Sequence, residues 1–167
     1  MKKLFPFSLS LTVVFEGVRA GAGTFRLLLD LPARFQIGPV AFADFSRATD
    51  LSTRGIIFYS LYGLGGALLT AATWVVASRA RAPRSVRLLV GFASACSVTV
   101  LLLTTQAAPL MWRVGSAAND PAALADLLQR FTFWTTLRVG CVDLSFLAIV
   151  AAMTFLVLER ARVGEAV

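Results

Sequence analysis

An all-α integral membrane protein, a bundle of four spans, is predicted by three features of this sequence. Hydrophobic residues make up 57% of its 167 residues and charged residues only 15%, against about 25% in an ordinary soluble domain. Three apolar runs, the last carrying Asp143, each reach the roughly 20 residues that a helix needs to cross a hydrocarbon core. The basic residues gather at the ends of those runs, where they orient a membrane protein. A formal charge of +7 would also suit a nucleic-acid binder. That reading needs a basic patch on a soluble face, and the distribution of lysine and arginine supplies none.

The spans are taken in order, as one membrane domain covering residues 1–167. The first, residues 9–29, is interrupted by charge: "FEGVRAGAGTFRLLLD" holds Glu16, Arg19, Arg26 and Asp30. A secretory signal peptide is the rival reading, with Lys2 and Lys3 ahead of an apolar core and small residues at Ala20–Ala22. Glu16 and Arg19 fall between that core and any cleavage site, which favours an uncleaved span. The others are residues 56–77, 88–108, ending at Pro109, and 137–158. Between the second and third, "SRARAPRSVR" has four arginines and no acid, so this loop and both termini are predicted to be cytoplasmic. Lys2, Lys3, Arg160 and Arg162 agree with that orientation.

Short amphipathic helices are expected in the outer loops. Pro39 suits a first helical turn, after which Phe42 and Phe45 share one face and Asp44 and Arg47 another. Asp120 can cap a helix opening at Pro121 and leading into the last span. Small residues four apart (Gly17 and Gly21, Gly63 and Ala67, Gly91 and Ala95, Ala148 and Ala152) suit close helix packing in lipid.

Glu16, Arg19, Gly23, Arg26 and Asp30 recur every three or four residues, so they form one stripe facing the bundle interior. Glu16 can pair with Arg19, and Arg26 with Asp30. Asp143 lies about two turns into the last span, at a depth close to that of Arg26, with Arg138 nearer the outer surface. An outward-facing cluster of Arg26, Arg138 and Asp143 is therefore expected, with Gln106 in the same layer and Glu16 and Arg19 deeper. Charges inside a membrane either staple helices together or form a site, and both readings stay open.

Other chemistry is missing. Histidine is absent, which removes the commonest metal and haem ligand and the commonest base near neutral pH. Cys96 and Cys141 lie in different spans at different depths, so no disulfide is predicted. "GAGTF" and "GLGG" lack the strand and spacing of a dinucleotide loop and read as helix-packing glycines. Neither a metal nor a cofactor is expected.

Three stretches carry a resemblance: "LLLDLPARFQIGPVAFADFSRATD" leaving the first span, "GIIFYSLYGLGGALLTAATW" in the second, and "FTFWTTLRVG" entering the last. Together they resemble the anthrone-oxygenase-like family of small four-helix membrane proteins over about residues 8–158. The resemblance implies oxidation of a polycyclic anthrone to a quinone with oxygen and without a metal. Such chemistry needs a base for an acidic C–H, a stabilised oxyanion and a dry slot for a flat ring. Asp143 or Glu16 would be the base and Arg138 or Arg26 the oxyanion partner. Arg19 and Gln106 would line the site, with Trp134, Phe131, Phe133, Tyr59 and Tyr62 as its aromatic slot. The alternative is a non-enzymatic binding, scaffold or transport-accessory protein; a transporter in its own right would need a dimer to form a pathway. Expected partners are the lipid bilayer of the cell membrane and a lipophilic small molecule. There is room for a homo-oligomer and no nucleic acid.

Overall fold

The computed structural model describes residues 4–165, and every regular element among them is helical. Lys2 and Lys3, and the side chains of Arg160 and Arg162, lie outside the described residues. Helix α1 (Leu4–Phe25) runs into a single π-helical stretch, Arg26–Asp30, and then into α2 (Leu31–Ile37). Pro32 explains the widened turn: without an N–H it cannot donate to the carbonyl of Leu28, so the α ladder is interrupted there. Gly38 stops α2 with φ 84° and ψ 157°, a conformation open to glycine, and Pro39 opens α3 (Pro39–Ala48). Phe42 and Ala43 bury under α3, whereas Phe45 stays half exposed, so only part of the expected aromatic face is covered.

Helix α4 (Thr53–Arg79) begins at Ser52, whose hydroxyl accepts from the Gly55 amide at 3.1 Å. A Cβ on Gly55 would strike the Thr49 and Asp50 carbonyls, so glycine permits the tight approach that fixes Asp50 beside the helix. Helix α5 (Arg84–Ser116) does not end at Pro109, as the sequence suggested. The lost N–H costs one backbone bond, but Ala107, Met111 and Val114 bury on either side and the helix continues past it. Asp120 caps α6 (Pro121–Glu165) through the Ala122 amide at 2.9 Å. Its 45 residues extend about 68 Å at 1.5 Å per residue, so the outer helix and the last apolar run are one rod.

Helix α1 packs on α4 and α6, and α5 on the same two, with α5 against α6 the most extensive pair. One apolar cluster joins Phe5 and Leu9 to Ala82, Val86 and Leu156, which puts the start of α1, the α4–α5 turn and the late part of α6 at one end. A second, with Leu31, Phe42, Met111, Leu124 and Leu128, closes the other end. Of the small-residue pairs, Ala148 and Ala152 are buried and a Cβ on Gly17 would press on Phe146 at 3.3 Å. Gly21 faces open space and Ala95 is exposed, so neither takes part in packing; each points away from its neighbouring helices. Three helices, α4, α5 and α6, are long and apolar enough to cross a membrane. The Glu16–Arg19 pair lowers the apolar content of α1, which is not among them.

Arg47 ties α3 to the end of α5. It donates to the carbonyls of Val114 and Gly115, both at 3.2 Å, and of Ala117 at 2.9 Å, satisfying groups that a helix end leaves orphaned. It also pairs with Asp44 at 2.6 Å, but that carboxylate is largely exposed. Arg47→Ala is expected to cost about 2 kcal/mol, through three carbonyls losing a charged donor. Asp44→Ala should cost under about 0.5 kcal/mol. Thermal unfolding of the two variants in detergent measures the difference.

Candidate functional site

Towards the end closed by α3, the helices separate around a cavity of about 320 Å³. Ala22 and Gly23 line it from α1, Phe58, Tyr59, Tyr62 and Gly63 from α4, and Leu101, Thr104, Ala108, Met111 and Trp112 from α5. Phe131, Thr135, Arg138 and Val139 close it from α6, while Arg26 and Asp50 come from the π-helical stretch and the α3–α4 connection. Five aromatic side chains thus surround a space with few polar groups.

Arg26 is fully answered. Its Nη1 donates to Asp50 Oδ1 at 2.7 Å and its Nη2 to Oδ2 at 2.5 Å, a bidentate pair. Nη1 also bonds the Tyr59 hydroxyl, which itself donates to Asp50 Oδ1 at 3.0 Å. The guanidinium lies 5.2 Å from the Tyr59 ring centroid and 5.7 Å from that of Phe131. The expected pairing with Asp30 does not form, because Asp50 presents both carboxylate oxygens to the fork at once.

Arg138 shares the cavity with Arg26 as expected, but Asp143 does not join them. Five residues of α-helix turn the chain by about 500°, leaving Asp143 some 140° round α6 from Arg138. Asp143 faces α1 instead, where Thr24 donates to both of its oxygens at 3.3 Å. Gln106 is exposed on α5 and Trp134 packs into the second apolar cluster against Phe133, so neither lines the cavity. Trp134 lies about 60° round the helix from Phe131, enough to turn it out of the wall. Phe133 is 59% exposed.

Glu16 and Arg19 pair at 2.5 Å in full burial, below the cavity rather than on its wall. Arg19 also reaches Ser97 at 3.3 Å, and Ser97 contacts Ser145 at 3.3 Å. Gly66 makes the slot for this guanidinium, since a Cβ there would run into it. Tyr62 separates the two environments. One side of it lines the cavity; its ring lies 5.1 Å from the Arg19 guanidinium carbon and its hydroxyl donates to the Arg19 carbonyl at 2.9 Å. The candidate base Glu16 and candidate ligand-binding Arg19 are therefore sealed from any molecule in the cavity.

Sequence reasoning missed Asp50, Trp112 and Thr135. Leu101, Thr104, Ala108, Met111 and Trp112 follow helical spacing, and extending the third span past Pro109 would have revealed that face. Asp50 carried no local signal beyond its charge.

The Glu16–Arg19 pair generates a stability test. Glu16→Gln leaves the Arg19 charge buried without its counter-ion and is expected to cost about 3–5 kcal/mol. The double variant Glu16→Leu with Arg19→Met removes both charges and should recover most of that loss. Thermal melts of the two variants in one detergent measure how much of the loss is recovered. No family model, no curated protein and no solved structure matches this chain, so the reading of the cavity rests on its own residues.

Proposed function

We propose that the chain is a multi-pass protein of the cell membrane, a four-span bundle with both termini cytoplasmic. In its outer half it binds a flat, lipophilic aromatic or quinone-like molecule. The observation that carries the binding reading is the aromatic cavity itself. A volume of about 320 Å³ falls at the lower end of the roughly 300–1,000 Å³ typical of small-molecule sites. Its mixture of rings with a few placed polar groups suits a rigid aromatic ligand. The site lies where the bilayer would deliver such a molecule, between helices whose outer faces carry Leu61, Leu68, Leu102 and Leu147.

Crossing by α1 is supported by its position: it packs lengthwise against α4 and α6, and its first turns meet the α4–α5 turn. The arginines of that turn favour the cytoplasmic side. Reporter fusions at the two termini are expected on the same, cytoplasmic side; termini on opposite sides would mean that α1 does not cross.

A second reading follows the resemblance to anthrone oxygenases, in which an anthrone and O2 give the quinone and water. Among the described residues, Asp50 is the carboxylate on the cavity wall, with the Tyr59 hydroxyl beside it. On this reading Asp50, rather than Asp143 or Glu16, receives the proton from the ring carbon, the Tyr59 hydroxyl orients its carboxylate, and a guanidinium on the same wall stabilises the enolate. Binding is the reading the geometry favours, because Asp50 is committed to Arg26.

The test is ligand-dependent thermal stabilisation across anthrones, quinols and quinones, with oxygen uptake followed in parallel. A true ligand at about a hundred times its Kd should stabilise by about 2.7 kcal/mol. Ala108→Trp fills the cavity and should abolish the shift while the variant stays folded. Uptake of oxygen with an anthrone would establish the second reading. No shift with any compound of the panel would remove the first.

A further inference from the structure

The cavity wall is not electrically balanced. Arg26 contributes one positive charge and Asp50 cancels it through both oxygens. Arg138 contributes a second, and among the described residues its side chain makes no ion pair and no hydrogen bond. Its Nε is buried without a partner. Three residues earlier on α6, Thr135 also lines the cavity, is 3% exposed, and has a hydroxyl without a partner. The carboxylates that might have answered Arg138 are engaged elsewhere: Asp143 at Thr24, Glu16 at Arg19 below Tyr62.

An unpaired cation between membrane helices is costly, and so is an unmet buried hydroxyl. The first cost is lifted if the occupant brings an anionic oxygen to the part of the Arg138 guanidinium that lines the cavity, and the second if the Thr135 hydroxyl turns to donate to the same ligand. We infer that the cavity takes a ligand with one negative charge, its anionic oxygens on Arg138 and Thr135 and its apolar body among the rings. This inference rests on the binding reading above and adds the charge of the occupant. The shared chemistry has two sources, a free aromatic carboxylate and the phosphate of an anionic lipid headgroup.

The probe is a matched pair, anthracene-2-carboxylate and its neutral carboxamide, titrated by ring fluorescence into protein held in phosphatidylcholine nanodiscs. The wild type is expected to bind the carboxylate at least about tenfold more tightly, since a charged hydrogen bond is worth that much. Arg138→Gln should erase the preference, and Arg138→Lys should keep part of it. Should Arg138→Gln fail to fold, the wild-type pair alone still decides. Equal affinity of the two compounds in wild type overturns the charge assignment while leaving the cavity a binding site. Binding of neither compound overturns the binding reading and this inference with it. Repeating the titration with phosphatidylglycerol in the disc separates the sources. Arg138-dependent displacement of the carboxylate points to a lipid phosphate, and unchanged binding points to a free acid.

Discussion

The structure is organised by how it answers, or leaves unanswered, the guanidiniums that its helices bury. Taking an arginine out of water costs several kcal/mol unless a counter-charge and enough acceptors go with it. Arg19 is met by Glu16 on the same helix and by Ser97 across the bundle. Arg26 is met by Asp50, which arrives from outside the bundle on the α3–α4 connection. The second answer requires more of the chain. The Gly55 approach holds Asp50 close, Ser52 starts α4 at the right residue, and Gly38 with Pro39 turns α3 back over the helix ends. The end of α3 and the connection after it are thus fixed twice, by the Arg26–Asp50 ion pair and by the bonds of Arg47 to α5.

Because Arg19 and Arg26 each have an acid against them, aromatic surface is left to define the space between the two pairs. Phe131 and Tyr59 flank Arg26, and Tyr62 covers Arg19. A ring over a guanidinium gives it a favourable face without consuming a donor, and presents its other face to the cavity. The cavity is therefore apolar although cations stand behind or beside much of its wall. Arg138 departs from this arrangement by having no ring over it and no acid against it.

Much of this was legible in the letters. The spacing of Glu16, Arg19, Gly23 and Arg26 gave an inward stripe, and all four turn inward while Val14, Val18, Phe25 and Leu29 face out. The helical character of the three apolar runs followed from composition and length, as did the cap at Asp120 and the start at Pro39. What could not be read was azimuth and long-range partnering. Comparing depths brought Asp143 level with Arg26 but ignored the 140° that separates it from Arg138 around the helix. Proline was treated as a stop at Pro109, although tertiary packing of Met111 and Val114 outweighs one missing bond. Asp50 lies in a loop, and nothing local in the sequence marks its reach to Arg26.

The contrast between Arg19 and Arg138 bears on why a membrane protein keeps charges that it could replace by apolar residues. Arg19 is closed off: Gly66 makes room for it, Tyr62 lids it, and its acid comes from one turn earlier in the same helix. Such a pair can hold α1 against α4 and α5 without any molecule from outside. Arg138 has the reverse setting, with its partner left out and a cavity put in the partner's place. The fully buried Arg19 and the partly buried Arg138 then do different work because of what the neighbouring helices supply. One set supplies a carboxylate and a slot, the other a ring-lined space and an unmet hydroxyl from Thr135. A bundle built only for stability would gain by giving Arg138 an acid or removing it. Leaving the cation beside a ring-lined space is what selective capture of an anion requires, since the ligand then supplies what the fold withholds.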